Sequence, residues 1–193
     1  MSTRPPYQIA TGKWIVDAEK RTDRQGRIRV YQLPADDGGG TYEIAGINDR
    51  YDLRMAEHLR NLIELKQFAQ VELDAAQYIL GNTDIVQAWS QHPAIEVYLR
   101  DTCFNRGPRG AAKVLQLALG HAHADIEVDG HIGPITLGFA HQVTDPKEFL
   151  GFLRSAREIY ERRIAPPVGK RADFWAGLVN RWNNSLAFAQ TFL

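Results

Sequence analysis

Apolar residues at helical spacing from residue 53 onward constrain the fold of this 193-residue chain more than any other feature. One series consists of Leu53, Ala56, Leu59 and Ile63, and the last runs from Phe174 to Leu193. Such stripes mark amphipathic helices, whose apolar faces must pack against one another. The spacing predicts a mainly α protein of about seven to nine helices.

One polar, glycine-rich stretch, residues 19–46, interrupts the helical pattern. Within it, alternation over residues 27–33 predicts a strand, residues 36–40 a loop, and residues 41–44 a returning strand. We therefore expect one small β-hairpin near the N-terminus. Because glycine loses much entropy on ordering and this stretch offers little apolar surface, packing alone does not explain it. The stretch is our candidate functional site.

The N-terminal residues carry Pro5 and Pro6 without periodicity, which predicts an extended lead-in over residues 1–10. Thr11 is then expected to cap a short helix whose last turn contains Glu19. A carboxylate near the negative end of a helix is disfavoured in its charged form. This position suits a group that has to donate a proton.

The chain shows no repeat or linker, which predicts a single domain over residues 1–193. We expect a catalytic lobe over residues 11–100 and a helical C-terminal lobe over residues 101–193. The 23 basic and 23 acidic residues cancel, which argues against nucleic acid as a partner. Cys103 is the only cysteine, so no intramolecular disulfide forms. We expect a monomer.

Glycoside hydrolysis requires a proton donor and a second group that holds water or stabilises the charge at the reacting carbon. Glu19 suits the first role, and Asp36 with Thr41 suits the second. Gly38, Gly39 and Gly40 would admit a bulky sugar close to the backbone. The aromatic residues Tyr31 and Tyr42 are candidates for contacts with sugar rings.

Five features follow one another along the chain: an acidic residue at Glu19, D-D-G-G-G-T with G-I between Asp36 and Ile47, D-x-x-x-N-x-G at Asp101 to Gly107, V-D-G-H-I-G-P-I-T-L at Val128 to Leu137, and F-W-A-G-L-V-N-R at Phe174 to Arg181. This ordered set resembles the glycoside hydrolase family 108 lysozymes, including their peptidoglycan-binding-like C-terminal part. The resemblance covers roughly residues 10–185.

The resemblance implies a lysozyme-like α fold and a muramidase that cleaves the β-1,4 bond between N-acetylmuramic acid and N-acetylglucosamine in peptidoglycan. Glu19 would be its catalytic acid, and Asp36 and Thr41 would match the family's D-x-G-G-x-T stretch. No cofactor is implied, and the partners are peptidoglycan glycan strands. The setting would be a phage endolysin or an interbacterial effector of the type VI kind, and an effector would bring an immunity protein.

Three features depart from the family pattern, and one of them is an extra residue between Thr41 and Gly46. Lys20, Arg21 and Thr22 follow Glu19, where the family has two glycines and a tyrosine, and the hairpin is longer. Asp37 and Glu43 are therefore alternatives for the second catalytic residue. The alternative functions are a peptidoglycan amidase or peptidase, which needs a metal or a cysteine, and a non-catalytic wall-binding protein.

No stretch has the apolar run of a secretory signal or of a membrane span, and we expect no stable membrane insertion. We expect synthesis in the cytoplasm and export to the periplasm or cell wall by another system.

Asn105 is a candidate ligand for an acetamido group, and a cap for the turn at Gly107 is an equal alternative. The segment 129–136 resembles the turn of small peptidoglycan-binding modules, and we interpret it as a structural turn before Pro134. Four other loop residues are of types that bind zinc, but they lack the spacing that is usual for zinc ligands, so no metal site is predicted. These residues are His121, His123, Asp125 and His131.

Overall fold

The computed structural model describes residues 4–34, 39–121, 126–168 and 171–193. This part of the chain is mainly helical, which confirms the predicted fold class and is consistent with a lysozyme-like architecture. Its elements are α1 (Pro6–Glu19), β1 (Tyr31–Gln32), β2 (Tyr42–Ile44), β3 (Ile47–Asn48), α2 (Leu53–Glu64), α3 (Phe68–Thr83), a 3₁₀ helix (Asp84–Trp89), α4 (Pro93–Leu119), α5 (Pro134–His141), α6 (Pro146–Ile164) and α7 (Arg171–Gln190).

The chain forms two compact units, residues 1–81 and residues 82–193. We call them the first and the second unit. The lobe boundary that the sequence predicts near residue 100 falls inside α4.

Helix α1 begins six residues earlier than predicted, so the expected lead-in is wrong over residues 6–10, and the expected cap at Thr11 is wrong too. Pro5 occupies the N-cap position, and Pro6 starts the helix because its fixed φ and missing N–H suit the first turn. Thr11 is buried inside the helix, where its hydroxyl donates to the carbonyl oxygen of Tyr7 at 2.7 Å. Glu19 is the last residue of the helix, as the sequence predicts.

The sheet of the first unit is antiparallel, with strand order β1-β2-β3. Strand β1 pairs Tyr31 with Glu43, but the first part of the predicted strand 27–33 does not join the sheet, since Ile28 pairs with Thr22 in an isolated bridge. Strand β3 is absent from the sequence prediction. It follows β2 through Ala45 and Gly46, both at positive φ (50° and 73°), as a two-residue type I′ turn requires.

The core of the first unit comes from the apolar stripes of its helices and from the inner face of the sheet. Leu53, the first member of its stripe, stays exposed because it lies in the first turn of α2. Gly12 of α1 lies so close to α3 that a Cβ there would stand 2.9 Å from the Leu80 side chain. Residues that are 0–2 % exposed in this core are Ile15, Val16, Ile28, Ile44, Ile47, Ala56, Leu59, Val71, Ala75 and Ile79.

The second unit is built around α4, which packs against α6 and α7. Gly107 (φ 68°) kinks α4 and lets Pro108 begin its second half, which confirms the predicted break at this point. The start of α6 is also as predicted, because the Asp145 side chain accepts the backbone N–H of Glu148 at 2.9 Å. Trp182 of α7 is 1 % exposed and belongs to the core.

Candidate functional site

Glu19 lies half-buried at the C-terminal end of α1, and the residue after it fixes that end. The backbone N–H of Lys20 donates to the carbonyl oxygen of Val16 at 2.7 Å. The Lys20 ammonium lies 2.6 Å from the Asp17 carboxylate and 2.8 Å from the Glu72 carboxylate of α3. Burial would lower the pKa of Lys20, but the hydrogen bonds to both carboxylates outweigh it and raise the pKa. Lys20 thus ties the end of α1 to α3.

The next residues close the hairpin that follows α1. Arg21 accepts the backbone N–H of Arg29 at 3.0 Å, and Thr22 forms the bridge to Ile28. The guanidinium carbons of Arg21 and Arg29 lie 5.1 and 5.6 Å from the centre of the Tyr31 ring. The departures from the family pattern therefore have structural roles here, and the predicted sugar platform Tyr31 is contacted by two cations.

Thr41, a predicted catalytic residue, forms hydrogen bonds with Asp49. Asp49 is not among the site residues predicted from the sequence. The Thr41 hydroxyl donates to one carboxylate oxygen of Asp49, and the Thr41 N–H donates to the other at 2.8 Å. The N–H of Tyr42 also points at that second oxygen, at 3.3 Å. These hydrogen bonds, the Thr41 hydroxyl first, lower the pKa of Asp49. The carboxylate therefore stays ionised around neutral pH.

Gly40 permits this arrangement because no side chain fits beside it. Its φ is 123°, and a Cβ there would stand 2.3 Å from side-chain oxygens of both Asn48 and Asp49. The predicted substrate-binding residue Gly39 precedes it and is half-buried. Asp36 and Asp37, the predicted second catalytic residue and one of its alternatives, lie outside the described residues.

Tyr42 and Glu43 lie side by side in β2 and face opposite ways. The Tyr42 side chain is 6 % exposed, and the Arg60 guanidinium lies 5.7 Å from its ring centre. Its ring belongs to the core and does not present a face to solvent. Glu43 is half-buried in the central strand, opposite Tyr31 on one side and Asn48 on the other. Of the two predicted alternatives for the second catalytic residue, Asp37 and Glu43, only Glu43 lies within the described residues.

In the second unit, two of the sequence motifs meet in a buried ion cluster. The carboxylate of Asp101, 1 % exposed, accepts a hydrogen bond of 2.6 Å from Arg157 and one of 2.5 Å from Arg181. Burial alone would raise the pKa of Asp101, but the two guanidinium groups outweigh it and hold the pKa below its ordinary value. The motifs at Asp101 and Arg181 therefore stabilise the helix packing of this unit.

Asn105, the predicted acetamido ligand, lies in the last turn before the kink of α4. Its side-chain amide donates to the carbonyl oxygen of Asp101 at 3.0 Å. The neighbouring Arg106 makes two hydrogen bonds of 2.6 Å to the carboxylate of Glu161 in α6. Asn105 belongs to the second unit, whereas Glu19 and Thr41 belong to the first, and its role toward a substrate stays a prediction.

The turn at residues 129–136 is pinned to α4 by one buried side chain. The Gln116 amide donates to the Asp129 carboxylate at 2.7 Å and accepts the N–H of Gly130 at 2.8 Å. A Cβ at Gly130 (φ 82°) would stand 2.7 Å from the Arg109 side chain. This supports the interpretation as a structural turn, which also lines an apolar groove of about 460 Å³ between the 3₁₀ helix, α4 and α5.

Among the described residues, the other reactive side chains show no constellation that binds metal or activates a nucleophile. Of the histidine-rich loop, His123 and Asp125 lie outside the described residues, and the His121 ring stacks on Phe152 with centroids 5.0 Å apart. Within the described ranges, no three His, Cys, Asp or Glu side chains converge. Burial raises the pKa of the Cys103 thiol to about 11, which keeps it protonated and unreactive.

The architecture matches a solved structure, that of SagA from Brucella abortus. The TM-score is 0.64 at 18 % sequence identity, and the alignment covers 96 % of this chain and 94 % of that one. The chain shares the fold of SagA. No protein-family model matches the sequence, and no curated protein matches it.

In the described part of the chain, no helix is both long enough and apolar enough to cross a bilayer.

Proposed function

We propose that this protein is a muramidase that hydrolyses the β-1,4 bond between N-acetylmuramic acid and N-acetylglucosamine in peptidoglycan. The observation that carries the proposal is the pairing of two features in the first unit. Glu19 ends a helix that Lys20 anchors to α3, and Thr41 is held by Asp49 on the sheet that follows. The ordered motifs that resemble family 108 lysozymes, and the mainly α fold, support the same conclusion.

A ladder of backbone contacts links the two proposed catalytic positions through the hairpin. It runs from the Arg21–Arg29 hydrogen bond through the β1–β2 pairs to the N–H of Leu33, which donates to the carbonyl oxygen of Thr41 at 3.0 Å. Catalytic groups on such rigid elements keep their geometry better than groups on free loops.

In the proposed reaction, Glu19 is the general acid and donates its proton to the glycosidic oxygen as that bond breaks. Asp36 is the proposed partner carboxylate, and Asp37 and Glu43 are its alternatives. Thr41 orients the water that attacks the anomeric carbon. Asp49 is not assigned the partner role because three hydrogen bonds already occupy its oxygens, and the lowered pKa that they cause makes it a weaker base.

The buried thiol disfavours a peptidase that uses a cysteine. A nucleophilic cysteine needs a lowered pKa and access to substrate, whereas Cys103 is 3 % exposed and its pKa is raised to about 11. A glycosidase needs only carboxylates of the kind that the first unit supplies.

Incubation with purified peptidoglycan tests the proposal. We expect new reducing ends, soluble muropeptides that end in N-acetylmuramic acid, and full activity in the presence of a chelator. Release of amino groups without reducing ends would identify an amidase or peptidase. Co-sedimentation with sacculi without any soluble product would identify a wall-binding protein, and either result would overturn the proposal.

A further inference from the structure

We propose that Asp49 is a positioning residue that makes the Thr41 hydroxyl a hydrogen-bond acceptor for the attacking water. The inference rests on the proposed muramidase function and extends it to a residue outside the sequence motifs. It also specifies that the Thr41 hydroxyl accepts a hydrogen bond from the water and does not donate one to it.

The first step is the direction of the hydrogen bond between the two side chains. The Asp49 carboxylate also accepts the N–H of Thr41 at 2.8 Å and points toward the N–H of Tyr42 at 3.3 Å. Backbone N–H groups only donate, and several of them around one carboxylate favour its ionised form. An ionised carboxylate has no proton to give, so the Thr41 hydroxyl must donate to it.

The second step follows from the single proton of a hydroxyl group. Once that proton points at Asp49, only the lone pairs of the Thr41 oxygen remain for another partner. Thr41 is exposed, so solvent reaches this oxygen. A water there must donate one hydrogen to Thr41, and its second hydrogen is free for the partner carboxylate.

This arrangement accounts for each bond and each proton that changes in the hydrolysis. The water oxygen forms the new bond to the anomeric carbon while the bond from that carbon to the glycosidic oxygen breaks. One water proton passes to the partner carboxylate, and the proton of Glu19 passes to the leaving oxygen. With both water hydrogens held, a lone pair of the water is left to attack.

The third step is that Asp49 itself has little freedom. Its backbone N–H donates to the carbonyl oxygen of Tyr42 at 3.2 Å, directly after β3. Gly40 at φ 123° leaves space for its carboxylate that any Cβ would fill. Three residues later, Asp52 caps α2 by accepting the N–H of Met55 at 2.9 Å.

The Asp49→Asn variant tests the inference because it keeps the shape and reverses the hydrogen bond. The amide oxygen of Asn still accepts the backbone N–H groups, whereas its NH₂ group donates to the Thr41 hydroxyl, which then donates to water. We expect kcat to fall by about 10- to 100-fold at nearly unchanged KM, as for the loss of a hydrogen bond to a charged group. The matched control Asp52→Asn, which retains a good cap residue, should leave kcat unchanged.

A double-mutant cycle separates positioning from mere support of the fold. Thr41→Val alone should lower kcat, Thr41→Ser should retain it, and adding Asp49→Asn to Thr41→Val should cause no further loss. Losses that multiply, or an Asp49→Asn variant with the wild-type kcat, would overturn the inference and leave the muramidase function standing. A wild-type protein that releases no reducing ends would overturn both.

Nuclear magnetic resonance checks the geometry without any activity. The amide proton shifts of Thr41 and Tyr42 should titrate together in acid with a midpoint below that of an ordinary aspartate, and this titration should vanish in Asp49→Asn. Shifts that stay constant in the wild type would overturn the inference.

Discussion

Two carboxylates, Asp49 in the first unit and Asp101 in the second, are both held in their ionised form but by different means. Asp49 accepts hydrogen bonds from one hydroxyl and from backbone N–H groups near the surface. Asp101 is 1 % exposed and is neutralised by the guanidinium groups of Arg157 and Arg181. A half-buried carboxylate that fixes a neighbour's hydroxyl can serve a reaction, whereas a fully buried one between two cations serves the packing of helices.

From this difference we expect two kinds of role for the motifs of the family resemblance. The one between Asp36 and Ile47 includes Thr41, whose hydroxyl remains open to solvent. Those at Asp101 and at Arg181 join in one ion cluster although 80 residues separate them. We therefore expect substitutions in the first unit to change chemistry, and those in the ion cluster to change stability.

The largest effect on stability is expected for Asp101→Asn. Removing one partner of a buried ion pair leaves uncompensated charges, which costs about 3–5 kcal/mol. Chemical unfolding measures this loss, and the exposed Asp173→Asn in α7 is the control, expected within about 0.5 kcal/mol of the wild type. An Asp101→Asn protein as stable as its control would contradict the structural role of the cluster.

A smaller effect on stability is expected for Gly40→Ala, which strains the backbone and forces its Cβ against Asn48 and Asp49. We expect a cost of about 2–3 kcal/mol together with lost wall lysis. Gly26→Ala is the matched control, since Gly26 also has positive φ (77°) but has open space around it, and strain alone should cost about 1 kcal/mol. Equal costs at the two glycines would show that the close approach to Asp49 is unimportant.

The smallest effect is the pH dependence of stability. The folded pKa of Asp101 is lowered, so its contribution is present above the unfolded value of about 3.9 and is lost as pH falls through the folded pKa. We expect the thermal unfolding temperature to fall in that acid range. Asp49 has a lowered pKa as well, so Asp49→Asn should remove part of the slope, but a smaller part than Asp101 supplies, because solvent screens this half-buried carboxylate. A wild-type unfolding temperature that is constant down to pH 2 would contradict the role of Asp101.

The sequence allowed prediction of what depends on local patterns. Helical periodicity located α2 and α6, the capping signal at Asp145 located the start of α6, and Gly107 before Pro108 located the kink in α4. The start of α1 was missed because two prolines were interpreted as an extended segment, although proline also favours a first helical turn.

The candidate site could be predicted only in part, because residues from separate stretches of the sequence hold it in place. Glu19 and Thr41 were named from position and motif, but Asp49 follows a strand of two residues that has no signal of its own. The only hint was an Asn-Asp pair, which is common in any turn. The ion pair of Asp101 with Arg181 requires the fold, since no spacing rule joins residues so far apart.

The most direct test of the central claim compares Glu19→Gln with Glu57→Gln, the same substitution at an exposed glutamate of α2. We predict that Glu19→Gln lowers the release of reducing ends from purified peptidoglycan by about 100-fold or more, as the loss of a general acid does, while the thermal unfolding temperature stays nearly unchanged. Glu57→Gln should keep the wild-type rate. A Glu19→Gln protein that still lyses the wall at the rate of its control would contradict the assignment of Glu19 as the catalytic acid.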